Sequence, residues 1–152
     1  MKKPTPPPRA TAAVKLLLPE GQIMEGEVVY YPQYRSFFRA GRYCIDLNVE
    51  NVGRYFYKAT DYFEALSQIR KKLEAKGIRL LCWGASKNAW PSHMQRDMGT
   101  GIEAYELLAD GRNGPQRWIF DYAPPEMIAT VDEQKRYAEQ WLQSKLGSTD
   151  SK

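Results

Sequence analysis

The sequence predicts an α+β fold: a single mostly antiparallel sheet of six to seven strands with two packed helices, at about 61–75 and 131–146. Three observations predict it. Tyr43, Ile45, Leu47 and Val49 alternate with Arg42, Cys44, Asp46 and Asn48, the period that a half-buried strand imposes. Tyr62, Leu66, Ile69 and Leu73 recur at steps of four and three, the stripe of a helix packed on one side. Thr130 and Glu133 then have the spacing of a capping box, opening a helix whose stripe is Tyr137, Ala138, Trp141 and Leu142.

The elements follow in order. Residues 1–12 are rich in proline and are expected to form a flexible leader, ahead of a single domain over 13–147 and a disordered tail over 148–152. The segments 13–19 and 22–31 read as strands joined by a turn at Pro19-Glu20-Gly21. Segments 34–38 and 42–49 flank Ala40-Gly41 and read as a further antiparallel pair. The first helix is expected to start from Thr60 as N-cap, with Asp61 at its positive end, and to stop at Gly77. Arg70, Lys71, Lys72 and Glu74 fall off the apolar stripe and read as a solvated face that complements the helix dipole, with phosphate binding as the alternative. Residues 78–84 read as a buried strand, 102–108 as an alternating one, 111–115 as a turn and 117–122 as the last strand.

Composition narrows the function classes. No apolar run reaches the roughly 20 residues that cross a bilayer, so no membrane partner is expected. Prolines stand where a signal peptide carries its apolar segment, which points to the cytoplasm. Cys44 and Cys82 lie far apart in apolar surroundings, with His93 as the single histidine, so two reduced buried thiols are expected, with no metal and no cofactor. Of the four net positive charges, Lys2, Lys3 and Arg9 supply three. The body is therefore near neutral, which disfavours nucleic acid as a partner. Ten tyrosines and four tryptophans are an unusual share, and such rings serve interfaces as well as cores.

Residues 84–101, GASKNAWPSHMQRDMGTG, stand apart from ordinary scaffolding. Ser92, His93, Arg96 and Asp97 suggest a catalytic triad, but Ser92 lies in no nucleophile elbow and follows Pro91, which suits it to capping a short helical turn over 93–98. Gly99 is then expected to end that turn in the left-handed conformation. Met94 and Met98 share a face four residues apart, and His93 and Asp97 a neighbouring one. Phosphate-loop and zinc-protease motifs are absent. Two readings of the loop remain: a plug built on Trp90, Pro91, Met94 and Met98, or a recognition surface made of Asn88, Trp90, Ser92, Met94, Arg96 and Asp97.

The string from Gly84 to Gly99, preceded by the helix that opens Asp61-Tyr-Phe-Glu-Ala-Leu, resembles a family of small bacterial proteins encoded beside polymorphic and contact-dependent toxin genes. The resemblance runs from about Asp61 to Leu146, with W-P-S-x-M-x-R-D-M-G as its core, and glycine is common in that family where His93 stands here. It implies an immunity protein that binds and inhibits a cognate protein toxin and has no catalytic role of its own. A near-neutral body fits a toxin that is not a strongly basic nuclease. Two other classes stay open: a small enzyme using the 84–101 loop, and a nucleic-acid module using the basic leader with Arg70–Lys72. The oligomeric state is left open.

Overall fold

The computed structural model describes residues 9–36 and 39–150. Strands β1 (Ala10–Leu17), β2 (Ile23–Ser36), β3 (Arg39–Val49) and β4 (Gly53–Ala59) form an antiparallel meander. Helix α1 (Tyr62–Glu74) follows, and β5 (Arg79–Leu80) then pairs with β1. The strand order is β4-β3-β2-β1-β5, so α1 carries the chain from one edge of this sheet to the other. Inward-facing Val14, Leu16, Val28, Ile45, Leu47 and Val49 make the floor on which it lies.

A second sheet is built from β6 (Ala89–Trp90), β7 (Glu103–Leu107) and β8 (Asn113–Trp118), again antiparallel. The short helix α2 (His93–Asp97) lies between β6 and β7, and α3 (Val131–Asp150) ends the chain. The expectation of one six- to seven-stranded sheet with two helices is therefore corrected to two sheets, of five and three strands, with three helices among the described residues. The physical reason lies at residues 81–85. The apolar run 78–84 forms only the two-residue β5 and then a 3-10 turn, Trp83–Ala85. A Cβ on Gly84 would stand 2.6 Å from Leu66 and 3.2 Å from the Ile119 carbonyl, so the chain packs edge-on between two elements. Trp83, 1% exposed, turns into the interior and donates its indole N–H to the Ala104 carbonyl at 2.9 Å. A continuous strand cannot make those contacts.

Other boundaries moved for local reasons. Strand β1 begins at Ala10, inside the expected leader, of which residues 1–8 lie outside the described residues, as do Phe37 and Phe38 of the expected 34–38 strand. That strand is otherwise the end of β2. Strand β4 was not anticipated, although Tyr55 and Ala59 are buried and Arg54, Phe56 and Lys58 exposed. The last strand runs 113–118 rather than 117–122 and passes through Pro115, which an edge strand tolerates because one row of its N–H groups needs no partner. Helix α3 continues to Asp150, past the expected end at 146 and into the expected tail. Its capping box forms as expected: Thr130 Oγ1 accepts from Glu133 N at 3.1 Å, and Glu133 Oε1 accepts from Thr130 N at 3.0 Å.

Helix α1 is packed on two sides. The stripe Tyr62, Leu66, Ile69 and Leu73 is buried as expected, but Phe63, Ala65, Ser67 and Arg70 are buried too. Arg70 is 2% exposed, not solvated. Its guanidinium donates to Gln134 Oε1 at 2.6 Å, to the Ala129 carbonyl at 2.8 Å and to the Gly84 carbonyl at 3.1 Å. It thereby ties α1 to the 84–86 turn and to α3. Burial away from water lowers its pKa from the ordinary value, and the nearby Cys82 and Glu74 only partly offset that cost. The aromatic surplus is largely internal. Tyr30 meets Tyr62 at 5.5 Å and Phe120 at 5.2 Å, and Phe120 meets Trp118 at 5.3 Å, so rings from both sheets and α1 form one cluster.

Candidate functional site

The 84–101 segment closes over the N-terminus of α1. Asp61, rather than Thr60, is the N-cap: its Oδ1 accepts from Glu64 N at 2.8 Å. Tyr62 N donates to the Thr100 carbonyl at 2.9 Å, which satisfies another of the helix's orphan donors. Left-handed backbone occurs at Thr100 (φ 64) and Gly101 (φ 73), and not at Gly99 as expected. A Cβ on Gly101 would lie 2.8 Å from Asp61 Oδ1, so the return of the chain past the cap requires glycine there.

Helix α2 forms as its residues dictate. Ser92 Oγ accepts from Gln95 N at 3.0 Å, and Gln95 Oε1 accepts from Ser92 N at 2.9 Å, a complete capping box. The Ser92 hydroxyl is thus engaged in capping, and among the described residues no group of three or more His, Cys, Asp or Glu gathers as a metal site. Arg96 points inward. Its guanidinium donates to Asp61 Oδ2 at 3.1 Å and lies 5.1 Å above the Phe63 ring and 5.2 Å above the Trp90 ring. The Asp61 side chain is 7% exposed and that of Arg96 22%, so the pair is shielded from solvent. Trp90 is half-buried on β6, edge-on to Phe63 at 5.4 Å. It packs against the main core and also against a smaller cluster of Leu107, Ala138 and Trp141.

The six residues proposed from sequence therefore divide. Trp90 and Arg96 hold the segment to α1 and its cap, and Ser92 caps α2. Asn88 is tied instead to β7, where its carbonyl accepts from Leu107 N at 2.7 Å and its side chain lies 3.4 Å from Glu106 Oε1. Asp97 is exposed, and Met94 and Met98, at 70% and 81%, are the most exposed large hydrophobics among the described residues. Sequence reasoning missed Asp61 and Phe63 as partners of the loop. They are 35 and 27 residues away from Arg96 and Trp90, and no local pattern joins them.

Cys44 and Cys82 are free and buried. Burial pushes the Cys82 thiol up to about 11. No helix among the described residues is long and apolar enough to cross a membrane. Comparison with protein-family models and with curated proteins finds no match for this chain.

Proposed function

We propose that this chain is an immunity protein, which binds and inhibits a cognate bacterial protein toxin in the cytoplasm and catalyses no reaction of its own. The observation that carries the reading is the solvent side of α2. Met94 and Met98 stand 70% and 81% exposed on a helix whose cap and inner side are tied to the fold. Exposed methionines on a pinned element adapt to a partner's shape while the element adds little ordering cost. Asp97 completes the contact surface. Asn88, Trp90, Ser92 and Arg96 act by positioning it. The burial of Arg70 removes one of the cations on which the nucleic-acid alternative rested. The enzyme alternative gains no support from Ser92, whose hydroxyl caps α2.

The test uses the products of the genes adjacent to this one, screened for toxicity to growth. Calorimetric titration should show a tight complex, weakened by about 2 kcal/mol (roughly 30-fold) in the Met94→Ser/Met98→Ser variant. Unchanged affinity in a folded double variant would move the contact elsewhere. A neighbouring product that neither harms growth nor binds would remove the immunity reading.

A further inference from the structure

Helix α1 lies on one face of the five-stranded sheet, and among the described residues the other face stands open to solvent. Across its middle, Thr11, Val29, Asp46 and Phe56 stand opposite one another in the strand register. Phe56 is 44% exposed, and Arg54 holds the Asp46 carboxylate as an ion pair, so this row is neutral. The charges lie at the two ends. Towards the β1–β2 turn, Glu25, Glu27 and Glu50 rim an open hollow of about 590 Å³ over Thr11 and Ala13. Towards the opposite end stand Arg9, Arg42 and Lys58, all exposed. None of the ion pairs among the described residues engages these six groups. Arg9 stacks on the Tyr31 ring at 4.4 Å and Lys58 lies 3.4 Å from the neutral Gln33 amide oxygen, so neither is spent on a carboxylate. Lys15, opposite Glu25 in the register, lies over the Tyr122 ring instead.

We infer that this face is the interface of a symmetric dimer, with a second copy of the chain seated so that the acidic end of each meets the basic end of the other. A two-fold axis lying across the strands at the Val29–Phe56 row gives that arrangement, because it reverses the strand direction and stacks each strand on its own copy. Arg42 and Glu50 lie four residues to either side of Asp46 on the same face, so Arg42 meets Glu50 of the second copy twice over. Arg9 likewise comes over Ala13 of the second copy, at the edge of the hollow beside Glu27. Val29 and Phe56 meet their own copies on the axis and form the apolar centre. Seated without the reversal, acids would face acids and cations cations, which selects against that register. At the usual strand spacing and rise, β1 to β4 present roughly 600 Å² in plan before side-chain relief, against about 800 Å² per partner in a standard interface. The α2 surface shares none of these residues, so the dimer stands apart from the toxin reading.

Sedimentation equilibrium of the full chain tests it. In about 0.05 M salt the protein should dimerise with a dissociation constant of about 10 μM, weakened roughly tenfold in about 0.5 M salt as the end charges are screened. Arg42→Glu and Glu50→Lys, both at exposed sites, should each weaken self-association by about tenfold or more, because like charges then meet twice per dimer. Mixed in equal amounts, the two variants regain both contacts, and a mixed dimer within about threefold of the original affinity should form. Arg9→Glu with Glu27→Lys repeats the exchange at a second contact. Circular dichroism at about 1 μM, where all the proteins are monomers, should be the same for every variant. A chain that stays monomeric at about 200 μM, a dimer that the reversals leave intact, or mixtures no tighter than the single variants would overturn the inference. Either result leaves the methionine surface and its toxin test untouched.

Discussion

On its inner side α2 carries Arg96 to Asp61, Phe63 and Trp90; on its outer side it carries Met94 and Met98 into solvent. The helix is only five residues long, yet the physics of its two sides is opposed. Inside, a charge loses water and regains it as one carboxylate and two ring faces. Outside, two thioethers keep their hydration and contribute no packing. Residue type alone therefore does not mark a contact residue. Trp and Arg are the usual anchors of interfaces, but here both are occupied by the fold, and the less conspicuous methionines are left over.

The largest loss on the inner side is expected at Trp90. Trp90→Ala should cost roughly 3 kcal/mol, because the ring bridges the main core and the Leu107–Ala138–Trp141 cluster. Urea unfolding measures it. A cost near zero would move Trp90 to the outer side.

Away from α2, the fully buried Cys82 thiol should give stability an alkaline limb. Its pKa is raised from 9.0 to about 11 in the folded chain, so the native state keeps a proton that the unfolded state releases. Stability from this group is complete below about pH 9 and lost as pH rises through about 11, by roughly 2 to 3 kcal/mol. Cys82→Ala should flatten that limb when unfolding is followed across the range. An equally steep loss in the variant would place the titration elsewhere.

A smaller effect is expected at the ion pair. Arg96→Ala strands Asp61, whose side chain is 7% exposed, and should cost about 2 kcal/mol, less than a fully buried pair because Arg96 keeps partial access to water. Asp61→Ala/Arg96→Ala should lose less than the sum of the single variants, since each removes the other's reason to be buried. Strict additivity would show that the two do not interact.

How much of this was legible follows the same division between local and distant. The N-cap at Ser92, the capping box at Thr130 and the inward stripe of α1 depend on neighbours within four residues, and all were readable. The second sheet was not, because a strand's alternation says which face it buries and nothing of which strand it pairs with. Arg70 was misread for a related reason. A single stripe presumes one packed side, and α1 is enclosed on two, with partners at Gly84, Ala129 and Gln134. At the site, the helical turn was legible, while the sequence left its methionines open between a plug and a contact surface, and the structure exposes both. Which of the six residues faced inward depended on Asp61 and Phe63, and those contacts exist only once the chain has folded.

The division between the two sides of α2 is tested most directly by urea unfolding of two variants in parallel, Arg96→Ala and Met94→Ser/Met98→Ser. The methionine variant should unfold with a stability within about 0.5 kcal/mol of the unaltered protein, while Arg96→Ala loses several times that amount. A methionine variant destabilised as much as Arg96→Ala, or an Arg96→Ala protein as stable as the original, would contradict it.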